Sequence, residues 1–161
     1  MLSANSLAEI DRERLKYPPE QARSVLLAAL RIAQEEHGFL SNELIEFVAS
    51  YLGVPSIQAF EVATFYTMYD LAPVGKYQFC VCGSVSCFLN GSDEILAHLQ
   101  DRLGIGIGET TADGLFTLKE VECLGACKDA PMMQLGDRYL ENLTPERIDT
   151  LIEQLRKEVQ G

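Results

Sequence analysis

The sequence predicts a mixed α/β (α+β) chain with an all-helical first part, and three observations carry that expectation. The first 74 residues contain no convincing strand and several apolar stripes at three-to-four spacing. From Lys76 onward short β-prone runs alternate with amphipathic helical segments, in the order strand, helix, strand, strand, strand, helix. The 161 residues are 47% apolar and 23% charged, which excludes a disordered chain or a coiled-coil rod and suffices for a core without disulfides. A helical region over 1–74 and an α/β domain over 75–161 are expected.

Taken in order, Leu7 to Leu15 is a short charged amphipathic segment, stopped at Tyr17-Pro18-Pro19 because a residue before proline is pushed out of the helical region. Pro19 suits a first helical position, and Ala22, Val25, Leu26, Ala29, Leu30 and Ala33 repeat on one face until Gly38, which predicts a single second helix. Ser41 is the expected cap of a third, with Leu44, Ile45, Val48 and Leu52 inward and Gly53 at its end. Ser56 is the expected cap of a fourth, running to about Asp70.

In the second part, Tyr77 to Cys82 (YQFCVC) is a short β-prone run. Ser92 is the expected cap of a helix carrying Ile95, Leu96, Leu99 and Leu103, closed by Gly104. Gly104 to Gly114 reads as a loop, followed by strands at Phe116 to Glu122, Met132 to Leu135 and Arg138 to Glu141, the last two paired across Gly136-Asp137. Thr144, Pro145 and Glu146 open a final helix with Ile148, Leu151, Ile152, Leu155 and Val159 inward.

Charge and hydropathy narrow the function. Thirteen Lys and Arg against 24 Asp and Glu leave −11, so the surface has no cationic excess to neutralise a phosphate backbone, and nucleic acid is not an expected partner. The longest uncharged run, Tyr77 to Ser92, is too short and too polar to span a bilayer, so no direct membrane insertion is expected. The start, MLSANSLAEID, lacks a basic segment and an apolar stretch, which points to the cytosol. Five cysteines in a reducing compartment are better candidates for metal ligation or thiol chemistry than for disulfides.

Four of them form two close pairs. Cys82 and Cys87 are separated by four residues and Cys123 and Cys127 by three, each pair following an expected strand, so both fall on strand-end loops where a rigid sheet can hold four sulfurs on a common centre. The flanks Gly83-Ser84-Val85-Ser86 and Leu124-Gly125-Ala126 are small enough for backbone to wrap an inorganic cluster and aim N–H groups at its sulfurs. Structural zinc is a competing cargo, yet a strand-end loop of Gly and Ser is not typical of zinc knuckles. Buried cysteines with no ligand would have to account for four rare residues on two such loops. A [2Fe-2S] cluster is favoured, although the spacing is not that of plant-type ferredoxins.

These residues resemble a known family. Cys82 to Cys87, then Cys123-Leu124-Gly125-Ala126-Cys127 with Ala130-Pro131 close behind, is similar to the E-subunit family of bacterial NADH-quinone oxidoreductases, the equivalent of the 24 kDa subunit of mitochondrial complex I. Val62-Ala63-Thr64-Phe65-Tyr66, Asn90-Gly91, Asp113-Gly114 and Leu143-Thr144-Pro145-Glu146 agree with it, over roughly residues 7–157. The resemblance implies a helical N-terminal region and a thioredoxin-like ferredoxin domain with one [2Fe-2S] cluster on Cys82, Cys87, Cys123 and Cys127. It also implies a flavoprotein partner subunit that binds NADH and FMN, and a peripheral position on the inner face of the cell membrane. The same motif occurs in diaphorase-type subunits of NAD-linked hydrogenases and formate dehydrogenases, which is the alternative context; a zinc-stabilised interaction module is the alternative from another class.

Cys80 departs from the ligand pattern; it is expected on the opposite side of its strand from Cys82 and reads as a small core hydrophobe. His37 and His98 are far apart and paired with no cysteine motif, so neither is a candidate ligand. Phe60, Phe65, Tyr66 and Tyr69 spread too widely around the fourth helix for one buried stripe, so some are expected to face a partner. No catalytic triad, P-loop or G-x-G-x-x-G run is present, and no catalytic residue is assigned. The expected chemistry is one-electron transfer within an oxidoreductase, at a low potential because reduction adds negative charge to an already anionic site.

Overall fold

A computed structural model describes residues 1–160, which form two compact units divided between Pro73 and Val74. Among the described residues, no helix is long and apolar enough to cross a membrane.

The first unit is helical. α1 (Ala4–Arg14) starts earlier than expected because Ser3 caps it: its hydroxyl accepts from the Ser6 amide, and its own N–H donates to Glu36 at 2.8 Å. The expected second helix is two segments, a 3₁₀ stretch Pro19–Val25 and then α2 (Leu26–His37). Gln21 breaks the helix at φ −105°, ψ 36°, in a stretch whose polar residues Glu20, Gln21, Arg23 and Ser24 stay exposed, so no burial rewards a continuous α-helix there. α2 buries Leu26, Ala29, Leu30, Ile32 and Ala33. α3 (Asn42–Leu52) is capped by Ser41, which accepts from the Leu44 amide at 3.2 Å, and ends at Gly53.

α4 (Ser56–Phe65) differs from expectation at both ends. Pro55 occupies the cap position, with Ser56 already helical. The helix stops at an extended Tyr66 rather than near Asp70, and tertiary bonds to α2 give the reason. Gln34 accepts from the Asp70 amide at 2.6 Å and donates to the Met68 carbonyl at 3.0 Å; Tyr69 turns inward and donates to the Leu27 carbonyl at 2.8 Å. Burial pushes the Tyr69 phenol up to about 12. Of the four aromatic residues, Tyr69 is buried, Phe60 half-buried, and Phe65 and Tyr66 face outward.

The second unit is a sheet with helices on one side. β1 (Tyr77–Cys82), β2 (Phe116–Val121), β3 (Met133–Leu135) and β4 (Arg138–Leu140) stand in the order β2-β1-β3-β4, with β1 and β2 parallel and the other pairs antiparallel. Between β1 and β2 lie a short α5 (Val85–Leu89), which the cysteine spacing did not reveal, and α6 (Ser92–Leu103); α7 (Pro145–Gln160) follows β4. Gly91 at φ 86°, not Ser92, is the cap of α6, since the chain must turn left-handed to pass from α5 into it.

One core is shared by Phe79 and Val81 of β1, Phe116 and Leu118 of β2, Met133 and Leu135 of β3, Ile95, Leu99 and Leu103 of α6, and Ile148, Ile152 and Leu155 of α7. Asp149 on α7 ties down α6 by accepting from Arg102 Nε at 2.7 Å and meeting His98 Nε2 at 3.0 Å. The glycine-rich segment expected to be a loop runs along β2, where Gly108 donates to Leu118 at 2.7 Å and Leu118 to Glu109 at 3.1 Å, covering the sheet edge. Cys80 corrects an expectation. Side chains alternate with a period of two, so Cys80 and Cys82 share a side of β1 while Phe79 and Val81 take the core side, and Cys80 is half-buried rather than a core residue.

Candidate cluster site

Two parallel neighbouring strands end side by side. Cys82 is in register with Val121, so the segments leaving β1 and β2 emerge at the same end of the sheet; Cys82 ends β1 and the other three candidate ligands are on those segments. Cys87 is carried back towards Cys82 by α5, while Cys127 opens a 3₁₀ turn, Cys127–Asp129. The Ala130–Pro131 peptide that follows is cis. No disulfide joins any of the cysteines.

The sulfurs are arranged as two pairs. Cys82 and Cys87 are near enough for each to shift the other's thiol, and they are buried together with Met132. Cys123 and Cys127 are exposed, with Sγ atoms 3.6 Å apart. Two ligands of one tetrahedral ion stand about 3.8 Å apart for metal–sulfur bonds of about 2.3 Å. Among the described residues, no three His, Cys, Asp or Glu side chains converge on a single ion position. Two close pairs of thiols are the donor set of a binuclear cluster in which each iron takes two thiolates.

Backbone donors surround these sulfurs. Burial alone would raise the Cys82 thiol, but the amides of Ser84 and Leu124 and the bonds from Cys87 and the Ser84 hydroxyl bring it below its ordinary value. Cys87 is pushed up to about 11 by burial and by its bond with Cys82, against the Met132 amide. Cys127 is raised first by its hydrogen bond with Cys123, then by that neighbour's charge. The two loops are joined by Gly83 donating to the Val121 carbonyl at 2.9 Å and by Ser86 Oγ donating to the Cys127 carbonyl at 3.4 Å. One side of the site is therefore dry and the other open, which suits an electron centre that must be shielded yet reachable.

Residues that the sequence did not single out complete the surroundings. Val85, Phe88 and Leu89 of α5 are 74%, 56% and 76% exposed, an apolar rim on the helix that carries Cys87. Their spacing was legible as V-x-x-F-L only once the segment was known to be helical. Tyr139 of β4 donates to the Leu124 carbonyl at 2.8 Å, and no sequence signal marks it.

Comparison with known proteins identifies the family. The family model for the thioredoxin-like [2Fe-2S] ferredoxin matches residues 10–156. The chain is 49% identical over 148 residues to the second E-type subunit of NADH-quinone oxidoreductase from Rhizobium meliloti (strain 1021), covering 92% of this chain and 87% of that protein. It is 48% identical over 144 residues to the NADH-quinone oxidoreductase E-type subunit of Rickettsia bellii (strain RML369-C), covering 89% and 86%. Among solved structures it is similar to the air-oxidized NAD+-reducing [NiFe]-hydrogenase, with a TM-score of 0.73 and 26% identity over 83% of this chain. It spans only 23% of that hydrogenase chain.

Proposed function

Since this chain belongs to the thioredoxin-like [2Fe-2S] ferredoxin family, we propose that Cys82, Cys87, Cys123 and Cys127 hold its one cluster and that it is an electron-transfer subunit of an NADH:quinone oxidoreductase. The observation that carries the ligand assignment is the pairing of the four sulfurs at the adjacent ends of β1 and β2. The bound cluster supplies one-electron redox chemistry. The chain's own residues do the rest: four side chains bind as thiolates, the amides of Ser84, Leu124 and Met132 stabilise sulfur charge, and the apolar packing of Met132 excludes water from the buried pair.

In this reading NADH and FMN belong to a flavoprotein partner, because hydride oxidation delivers two electrons and needs a flavin to divide them. The rim of Val85, Phe88 and Leu89 beside Cys87 supports a partner surface here, since desolvated apolar contact close to the centre shortens the path for the electron. The chain then works at the inner face of the cell membrane through its partners. A second reading, a diaphorase-type subunit of an NAD-linked hydrogenase, is favoured by the structural likeness to the hydrogenase. The identities of 49% and 48% to the two quinone-oxidoreductase relatives, against 26%, favour the first.

The test is purification of the chain alone and together with an NADH- and FMN-binding flavoprotein subunit of an NADH:quinone oxidoreductase. The isolated chain is expected to be coloured, to contain two irons, and to be reduced by dithionite but not by NADH. Together the pair is expected to co-purify and to pass electrons from NADH to an artificial acceptor. A colourless protein containing zinc would reject the assignment, and NADH oxidation by the flavin-free chain would reject the division of labour.

A further inference from the structure

Tyr139 lies on the side of the sheet turned away from α6 and α7, in a row with Gln134 of β3 and Cys80 of β1. Its ring is half exposed, so burial does not account for it, and the β3–β4 register is held by backbone pairing. Its hydroxyl reaches out of β4 and donates at 2.8 Å to the carbonyl of Leu124, the first of the three residues between Cys123 and Cys127. The Leu124 amide is also among the groups that hold the Cys82 thiol below its ordinary value. Gly125, next in the chain, has φ +84° and open space around its Cα, so the backbone there has no steric brake of its own. A peptide plane carries its carbonyl and its N–H on opposite sides. Holding the Leu124 carbonyl towards Tyr139 therefore turns the Gly125 N–H the other way and removes the rotation that glycine would permit.

We propose that Tyr139 is a positioning residue for electron transfer, holding the 123–127 loop by the Leu124 carbonyl so that its amide donors stay aimed at the ligand sulfurs, and thereby raising the reduction potential of the cluster. The inference rests on the four-cysteine assignment above. Its physical basis is that reduction adds negative charge to the sulfurs, and donors already ordered stabilise that charge without reorganisation at the moment of transfer. A residue that only pinned the loop would alter how fast the cluster is lost and leave the potential unchanged.

The experiment is a redox titration, followed by electron paramagnetic resonance, of the full cluster-loaded chain as wild type, Tyr139→Phe and Tyr77→Phe. Tyr77 is the control because its hydroxyl meets Glu158 in the same unit at 3.2 Å, away from the ligand loops. Tyr139→Phe is expected to keep two irons and to favour the oxidised state about threefold, a downward shift of about 28 mV at 59 mV per tenfold for one electron. Tyr77→Phe is expected to match wild type. An unchanged or raised potential in Tyr139→Phe overturns the proposal, as does an equal shift in Tyr77→Phe. Should Tyr139→Phe fold but emerge without iron, Gly125→Ala, which strains the same peptide without a clash, decides by the same titration: a lowered potential supports the proposal and an unchanged one overturns it. Absence of a cluster from the wild type would instead strike the four-cysteine reading.

Discussion

Gly75 lies directly against the backbone of Phe116: a Cβ on Gly75 would stand 2.8 Å from the Phe116 carbonyl carbon and 2.9 Å from its nitrogen. The Gly75 amide donates to Thr117 Oγ1 at 2.6 Å, so the approach is part of how the chain entering β1 is joined to β2. Backbone cannot swing aside as a side chain can. Gly75→Ala is therefore expected to destabilise the second unit by about 1–3 kcal/mol, the usual range for overpacking, measured by denaturant unfolding. Gly83→Ala is the contrast, since its nearest neighbours are side-chain atoms of the exposed Glu120, which can rotate away. It is expected to cost well under about 1 kcal/mol and to leave the visible spectrum intact.

The proposed ligands make an asymmetric set of predictions. Serine at Cys82, Cys87, Cys123 or Cys127 is expected to abolish or strongly alter the visible absorption and lower the iron content. Cys80→Ser is expected to retain both, because Cys80, although it shares a side of β1 with Cys82, lies between Lys119 and Gln134 two residues before the strand end from which the ligand loop leaves. Bleaching in Cys80→Ser alone would overturn the assignment.

Asp149 links stability to pH. Its carboxyl is held below the ordinary value of 3.8 by the hydrogen bond from His98 first, against the opposing effect of burial, and then by the Arg102 guanidinium. A depressed carboxylate contributes stability above its unfolded pKa and loses it as pH falls through the folded one. The advantage of wild type over Asp149→Asn is therefore expected to be full near neutrality, to begin to decline as pH drops below about 3.8 and to be lost as pH falls through the lower folded value. Urea titrations of both proteins across pH 2.5 to 7 measure it, and an advantage that does not shrink towards the acid end would contradict the pairing of α6 with α7 through this group.

The division between Pro73 and Val74 motivates a proposal about independence. A fragment beginning at Val74 carries all four proposed ligands and the whole sheet, and is expected to fold and hold the cluster. Loss of the outward-facing Phe65 and Tyr66 with the rest of the first unit is expected to weaken capture of the flavoprotein in a pull-down. Equal capture by the coloured fragment would remove the first unit from the docking surface.

The amino-acid sequence by itself determined the identity and type of most elements and the ligand candidates, because those depend on local information. Apolar residues at helical spacing marked α2, α3, α6 and α7, and Ser41 marked the start of α3 through a bond only three residues long. Cysteine is rare enough that two close pairs on glycine-bearing loops stood out without any structure. What tertiary structure alone decided were outcomes set by partners far along the chain. α4 ends at Tyr66 because Gln34 and the Leu27 carbonyl, on another helix, bind the residues that would have continued it. The approach of the two cysteine pairs required β1 and β2 to be adjacent and parallel, a pairing that local propensity cannot specify. Tyr139 was invisible for the same reason: its hydroxyl meets a carbonyl 15 positions away, and neither residue type announces such a bond.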